Sequence, residues 1–321
     1  MKRILALILV LSLSLFCFAA CKKDKDEDNT PPTNNPGDEP GDKPGDEPVA
    51  ATYTLVLVTD STVSNKNKVS NTVAVVVFDS EGKIAAIRFD SAEVTPELGE
   101  DGSLVTVDSV TTKVELGDSY LGMPAGSWAS QTKAFEEYVI GKTAEEVANL
   151  DATLITGCTM KSTVPTFKAL IAKAYASELK VTFELTGDFE LGAAISTVVK
   201  SGKGGKITVG SDFAGVVMAD GKVIATMIDS VEQSFTVEEG EILAGELAVS
   251  KNDQGDGYSG MPAGAWYKQA QAFANSTVGK TAAELENLET VSDALTAAGC
   301  TMKNTTAGYK ATIIKAVGYA K

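Results

Sequence analysis

The sequence predicts an α+β protein. Two tandem copies of one module, each an antiparallel β-sheet with packed helices, follow an export signal and a tether too polar to fold. Three observations predict this. Runs of β-branched and aliphatic residues open each half, and helix-period runs close it. Two gap-free stretches, 120–150 and 258–288, are identical at 17 of 31 positions. A period this long, present twice, means tandem domains rather than a solenoid.

The elements follow in order. "MKR", the apolar run "ILALILVLSLSLF" and the small residues of "FAAC" read as an export signal over 1–20. Cysteine after Ala19-Ala20 resembles a bacterial lipobox, which implies diacylation of Cys21 and a lipid anchor on the outer face of a membrane; plain secretion is the alternative. Residues 21–51 hold six of the ten prolines, a G-D-x-P repeat and almost nothing apolar, so they form a solvated linker.

The first module is expected over 52–177 and the second over 178–321. Strands are expected at "TYTLVLVT" (52–59), "TVAVVVFDS" (72–80), "KIAAIRFD" (83–90) and "LVTVDSVTTKVEL" (104–116). In the second copy they are "LKVTFEL" (179–185), "FAGVVMAD" (213–220), "KVIATMIDS" (222–230) and "ILAGELAVS" (242–250). "DSEGK" and "MADGK" are hairpin turns. Helices are expected at 127–141, 143–150 and 165–176, and again at the matching positions up to "AGYKATIIKAVGYA" (307–320). Thr143 and Thr281 each open T-A-x-E, a capping box.

Composition removes whole classes of function. There is no histidine, which eliminates histidine-based nucleophilic catalysis and imidazole metal sites. The formal charge is −15 and the only arginines are Arg3 and Arg88, so nothing could neutralise a run of phosphates, and nucleic acid is no partner. Cys158 and Cys300 are too few for a disulfide framework. Asp90 and Asp229 are repeated carboxylates, expected as turn residues at strand ends rather than a hydrolytic pair.

Two motifs recur. The first is G-C-T-M-K: Gly157, Cys158, Thr159 and Lys161 in one copy, Gly299, Cys300, Thr301 and Lys303 in the other. A turn glycine followed by a threonine N-cap explains it; so does a hydroxyl at a helix start that carries a phosphate, with the lysine alongside. The second is G-M-P-A-G-[SA]-W, with Met123 and Trp128 or Met261 and Trp266. Its tryptophan either fills the core or, with the methionine, faces a planar ligand.

"DATLITGCT" (151–159) and "DALTAAGCT" (293–301) resemble the D…[ST]-G-A-[ST] motif on which ApbE-type flavin transferases attach FMN by a phosphoester to the last threonine. The flavin-carrying subunits of sodium-pumping and Rnf-type NADH oxidoreductases share that motif. Here cysteine replaces its alanine, and Asp151 and Asp293 stand eight residues before the threonine. The plan of lipobox, acidic tether and two modules is similar to PplA-type lipoproteins of Gram-positive bacteria. The resemblance implies covalent FMN on Thr159 and Thr301 and a flavin transferase as partner. It also implies electron flow from membrane quinol to soluble or mineral acceptors outside the cell. A flavin's redox chemistry resides in its ring, so no histidine is needed. The alternative is a surface lipoprotein that binds ligands or serves as an adhesin.

Overall fold

Alternation along the strands sets the layers. In β2 (Val69–Asp79) Val73, Val75 and Val77 face one way while Ala74, Val76 and Phe78 face the other, and all six are buried. Both faces are covered, so the strand reads as a continuous apolar run. The computed structural model describes residues 49–120, 125–202, 205–258 and 264–321. The expected signal, Cys21, nearly all of the linker, Met123 and Met261 lie outside the described residues.

The first sheet contains β1 (Ala51–Val63), β2, β3 (Ile84–Val94) and β4 (Val181–Leu185), in the order β3-β2-β1-β4. The second contains β5 (Glu190–Ser201), β6 (Ile207–Ala219), β7 (Lys222–Glu238) and β8 (Glu241–Ala244), in that order. All pairings are antiparallel. The expected hairpin turns join β2 to β3 and β6 to β7, with Asp220 and Gly221 both at positive φ in the second.

The sheets pack face to face. Leu55, Leu57, Val73, Val75 and Val77 meet Leu191, Ala193, Ile195, Phe213 and Met227 in a central core. The approach is close: a Cβ at Gly215 would stand 2.6 Å from Val75 Cγ1. Helices α2 (Trp128–Val139), α3 (Ala144–Ala148) and α4 (Thr163–Ala176) cover the outer face of the first sheet through Phe135, Val147, Phe167 and Ile171. Helices α6 (Trp266–Asn275), α7 (Ala282–Glu286), α8 (Asp293–Ala297) and α9 (Thr306–Gly318) cover the second through Phe273, Leu285, Leu295 and Ile313. The protein is thus α+β, with two antiparallel sheets between two helical layers. Thr143 and Thr281 close the expected capping boxes.

Matching residues cross between the halves. Lys173 of α4 pairs with Asp253 at 2.6 Å, and Lys315 of α9 pairs with Glu115 at 3.0 Å. Each lysine also donates to a carbonyl of its own sheet, that of Thr59 or Ile195.

Three strand expectations need correction. Residues 104–110 form a loop rather than a strand, held by isolated bridges from Leu98 to Leu104 and from Val107 to Val199 and by Val110 N donating to Thr197 O at 3.0 Å. Helix α1 (Lys113–Leu116) follows, because Thr112 and Glu115 make a reciprocal capping box inside the strand-like run. Likewise only Glu241–Ala244 of 242–250 and its neighbour is strand, and Ser250 caps α5 (Lys251–Gln254). "LKVTFEL", expected as the second copy's first strand, pairs with β1 as β4. The strand in that place is β5, whose Gly192, Ala193 and Ala194 give little β-forming signal.

The tryptophans show a difference between the halves. Trp266 Nε1 donates to Tyr309 Oη at 3.2 Å, whereas Phe167 occupies the matching place beside Trp128. Tyr309→Phe is therefore expected to lower the unfolding free energy by about 1–2 kcal/mol, since it strands a buried N–H. Urea denaturation measures this; an unchanged midpoint would contradict it.

Candidate functional site

The site begins at the first turn of α2. Ser127 caps that helix, accepting from Ser130 N, and Trp128 is its first residue. One turn on, Gln131 has no solvent exposure. Its Nε2 donates to Gly126 O at 3.0 Å. Its Oε1 accepts both from Thr159 N at 2.6 Å and from Thr159 Oγ1 at 2.9 Å.

The second half repeats this arrangement. Gln269, also without exposure, donates to Gly264 O at 3.0 Å and accepts from Thr301 N and Oγ1 at 2.9 and 2.8 Å. Each glutamine thus ties the end of the G-M-P-A-G segment to the G-C-T-M-K loop. A buried amide with its oxygen doubly occupied and one N–H bonded is a rigid support.

The pentad itself has a simple logic. Gly157 and Gly299 sit at φ +82 and +98, where a side chain would be strained. Cys158 and Met160, and equally Cys300 and Met302, point into the cores at no more than 6 % exposure. Thr159 is exposed and Thr301 half-exposed; Lys161 and Lys303 are exposed. Alternation buries the cysteine and methionine and brings threonine and lysine outward.

Neither threonine caps a helix. α4 starts at Thr163 after Ser162, and α9 starts at Thr306 after Thr305, so the threonines stand four and five residues ahead. The expected N-cap, and the hydroxyl at a helix start, are corrected accordingly: each threonine is held instead by a glutamine oxygen that accepts from its N–H and its hydroxyl. Asp151 instead caps a short 3-10 turn, accepting from Thr153, and Asp293 is the first residue of α8. Both are exposed.

Trp128 and Trp266 are each 2 % exposed. They fill the cores rather than face a ligand, at 6.0 Å from Phe167 and 5.7 Å from Tyr309, edge to face. A lysine stands over each. Lys113 Nζ lies 5.1 and 5.6 Å from the ring centres of Tyr120 and Trp128; Lys251 Nζ lies 5.2 and 5.6 Å from those of Tyr258 and Trp266. Lys113 also pairs with Glu93 at 2.7 Å, and Lys251 with Glu232 at 3.7 Å.

Asp90 and Asp229, expected at strand ends, lie within β3 and β7 and are 1 % exposed. Asp90 Oδ1 accepts from Ser91 N and Val114 N, and Asp229 Oδ1 from Ser230 N and Asn252 N. Each pins the turn that carries the caged lysine. Burial pushes both carboxyls up to about 6.

Gln131, Gln269, Lys113 and Lys251 are the site residues that motif reading missed. Trp-x-x-Gln lies inside the duplicated stretch in both copies, and each lysine precedes the duplicated tyrosine by seven residues. Duplication was the available signal; a glutamine simply suggests no chemistry of its own.

Chemically, the arrangement offers an alcohol that is reachable, oriented and not activated. The glutamine carbonyl accepts the hydroxyl proton without being a base. The thiols of Cys158 and Cys300 are free and buried, and burial raises that of Cys300. Among the described residues no group of three His, Cys, Asp or Glu side chains is placed to hold a metal. No helix among them is long and apolar enough to cross a membrane. No family model, curated protein or solved structure matches this chain.

Proposed function

We propose that this chain is an extracytoplasmic electron carrier made of two copies of one module, each holding FMN as a phosphoester on a threonine, Thr159 or Thr301. Cys21 is its lipid anchor to the outer face of the membrane, and residues 21–51 its tether. The observation that carries this reading is the repeated grip of a fully buried glutamine on a threonine whose side chain stays at the surface.

That geometry suits a modified alcohol. The hydroxyl donates its proton to the glutamine oxygen, which leaves the oxygen's lone pairs facing away from the support. After esterification the glutamine still holds the backbone N–H, at 2.6 Å for Thr159 and 2.9 Å for Thr301. Lys161 and Lys303, exposed two residues on, can neutralise phosphate charge. Bound FMN supplies the redox chemistry of its ring. The partners are a flavin transferase, a quinol-linked donor in the membrane and soluble or mineral acceptors beyond it.

The carrier role has its own test. Protein co-produced with an ApbE-type transferase is reduced without oxygen and mixed with a soluble ferric chelate. The flavin absorption is expected to bleach and then return, while the Thr159→Ala, Thr301→Ala double variant has none to bleach. A flavin that reduces but is never reoxidised by ferric chelates would remove the carrier role.

A further inference from the structure

A cleft of about 800 Å³ opens in the second half, among α6, α7 and α8. It is lined by Ala272 of α6, by Ser276 just past the end of that helix, and by Lys280, Leu288, Leu295 and Ala298. Its size and apolar lining are those of a small-molecule site.

The first half shows what belongs there. In the gap-free alignment Ala272, Ser276 and Lys280 match Ala134, Tyr138 and Lys142. The Tyr138 ring packs half-buried against the first-half core, with Lys142 Nζ 4.8 Å from its centre. The second half keeps the alanine and the lysine but replaces the ring by a serine. Where Lys142 covers an aromatic face, Lys280 lines the cleft together with Glu284, and no ring stands there.

Two further differences widen that space. A Cβ at Gly157 would meet Ala134 Cβ at 3.5 Å, whereas nothing lies within 4 Å of the same point on Gly299. Four extra residues between Leu288 and Cys300 also carry α8 in place of a short 3-10 turn. The cleft adjoins the modified loop: Cys300 N donates to Leu295 O at 2.9 Å. On α6, Ala272 lies three residues from Gln269, which holds Thr301.

We propose that this cleft binds a flat aromatic ring system in the place of the Tyr138 ring, and that the ring it takes is the isoalloxazine of the flavin on Thr301. The second clause rests on the function proposed above. The two flavins are then inequivalent. The ring on Thr301 is enclosed beneath Lys280, while Tyr138 closes the matching place to the flavin on Thr159.

The test uses riboflavin, which has the ring but no phosphate. Added to protein made without the transferase, it is expected to saturate one site, read as loss of its fluorescence. Ser276→Tyr is expected to weaken that binding about tenfold or more, by supplying the first half's own ring. Ala272→Leu narrows the cleft from α6 and serves as the second variant, with thermal melting to confirm that each is folded. No saturable binding, or unchanged binding in both folded variants, overturns the proposal.

A second arm separates a tethered ring from a free one. In a Thr159→Ala background, protein modified on Thr301 is expected to have lost the riboflavin site. Undiminished binding there overturns the assignment to the tethered ring. If mass shows no adduct on Thr301, the carrier reading falls, while the titration of unmodified protein still decides the cleft.

Discussion

Gln131→Leu is expected to lower the unfolding free energy by about 2–4 kcal/mol and to abolish modification of Thr159 while Thr301 is still modified. Gln131 bonds to Thr159 twice and to Gly126 once, from a position without solvent exposure. Leucine has a similar volume but leaves the Thr159 N–H and the Gly126 carbonyl without their partner, each costing roughly 1–3 kcal/mol if it stays dry. The loop then loses the one side chain that aims its hydroxyl. Gln269→Leu should do the same to Thr301 alone. Denaturant unfolding measures the first effect and peptide mass mapping the second. Normal modification of Thr159 in Gln131→Leu would show that the glutamine serves stability only.

The second large effect is on pH dependence. Burial pushes Glu136 up to about 7, although Arg88 and the Phe89 N–H pull the other way. Burial likewise holds Asp90, Asp212 and Asp229 at about 6. A carboxyl whose folded value lies above its unfolded one stabilises the fold when protonated. That contribution is complete below the unfolded value, near 4, and is lost as pH rises through 6 to 7. The protein should therefore melt higher at pH 5.5 than at pH 8.

Glu136→Gln isolates one share of this effect. Glutamine can accept from Phe89 N as Glu136 Oε1 does at 2.7 Å, without a buried charge. The share amounts to roughly 3 kcal/mol between pH 4.5 and pH 8. Glu93, Glu115 and Glu146 titrate below their ordinary values and turn the trend over at lower pH. Thermal melting across pH 5–8 measures the slope. A melting temperature that rises toward pH 8, or a slope unchanged in Glu136→Gln, would contradict the assignment.

Local signals were legible where one short-range interaction decides the outcome. Thr143 with Glu146 and Thr281 with Glu284 close their capping boxes because four residues contain the whole interaction. Asp220-Gly221 turns a hairpin for the same reason. Local signals also misled. The run 104–116 alternates like a strand, yet Thr112 and Glu115 inside it start a helix. β5 was hidden because a strand pressed between a sheet and α9 needs small residues, which carry little β preference. β4 was legible as a strand, but its pairing with β1 is a tertiary choice.

The site was legible in part for similar reasons. Duplication marked Thr159 and Thr301, and it marked Trp128 and Trp266 equally. Only burial separates the exposed alcohol from the packed indole. Gln131 and Gln269 stand 28 and 32 residues from the threonines they hold, beyond the reach of any motif.

The most direct measurement is intact mass, on protein co-produced with an ApbE-type flavin transferase. Wild type is compared with Thr159→Ala, Thr301→Ala and the double variant. Two FMN adducts on wild type, one on each single variant and none on the double are predicted. A wild type that stays unmodified, while the same transferase modifies a control substrate, would contradict the account and leave a ligand-binding surface protein in its place.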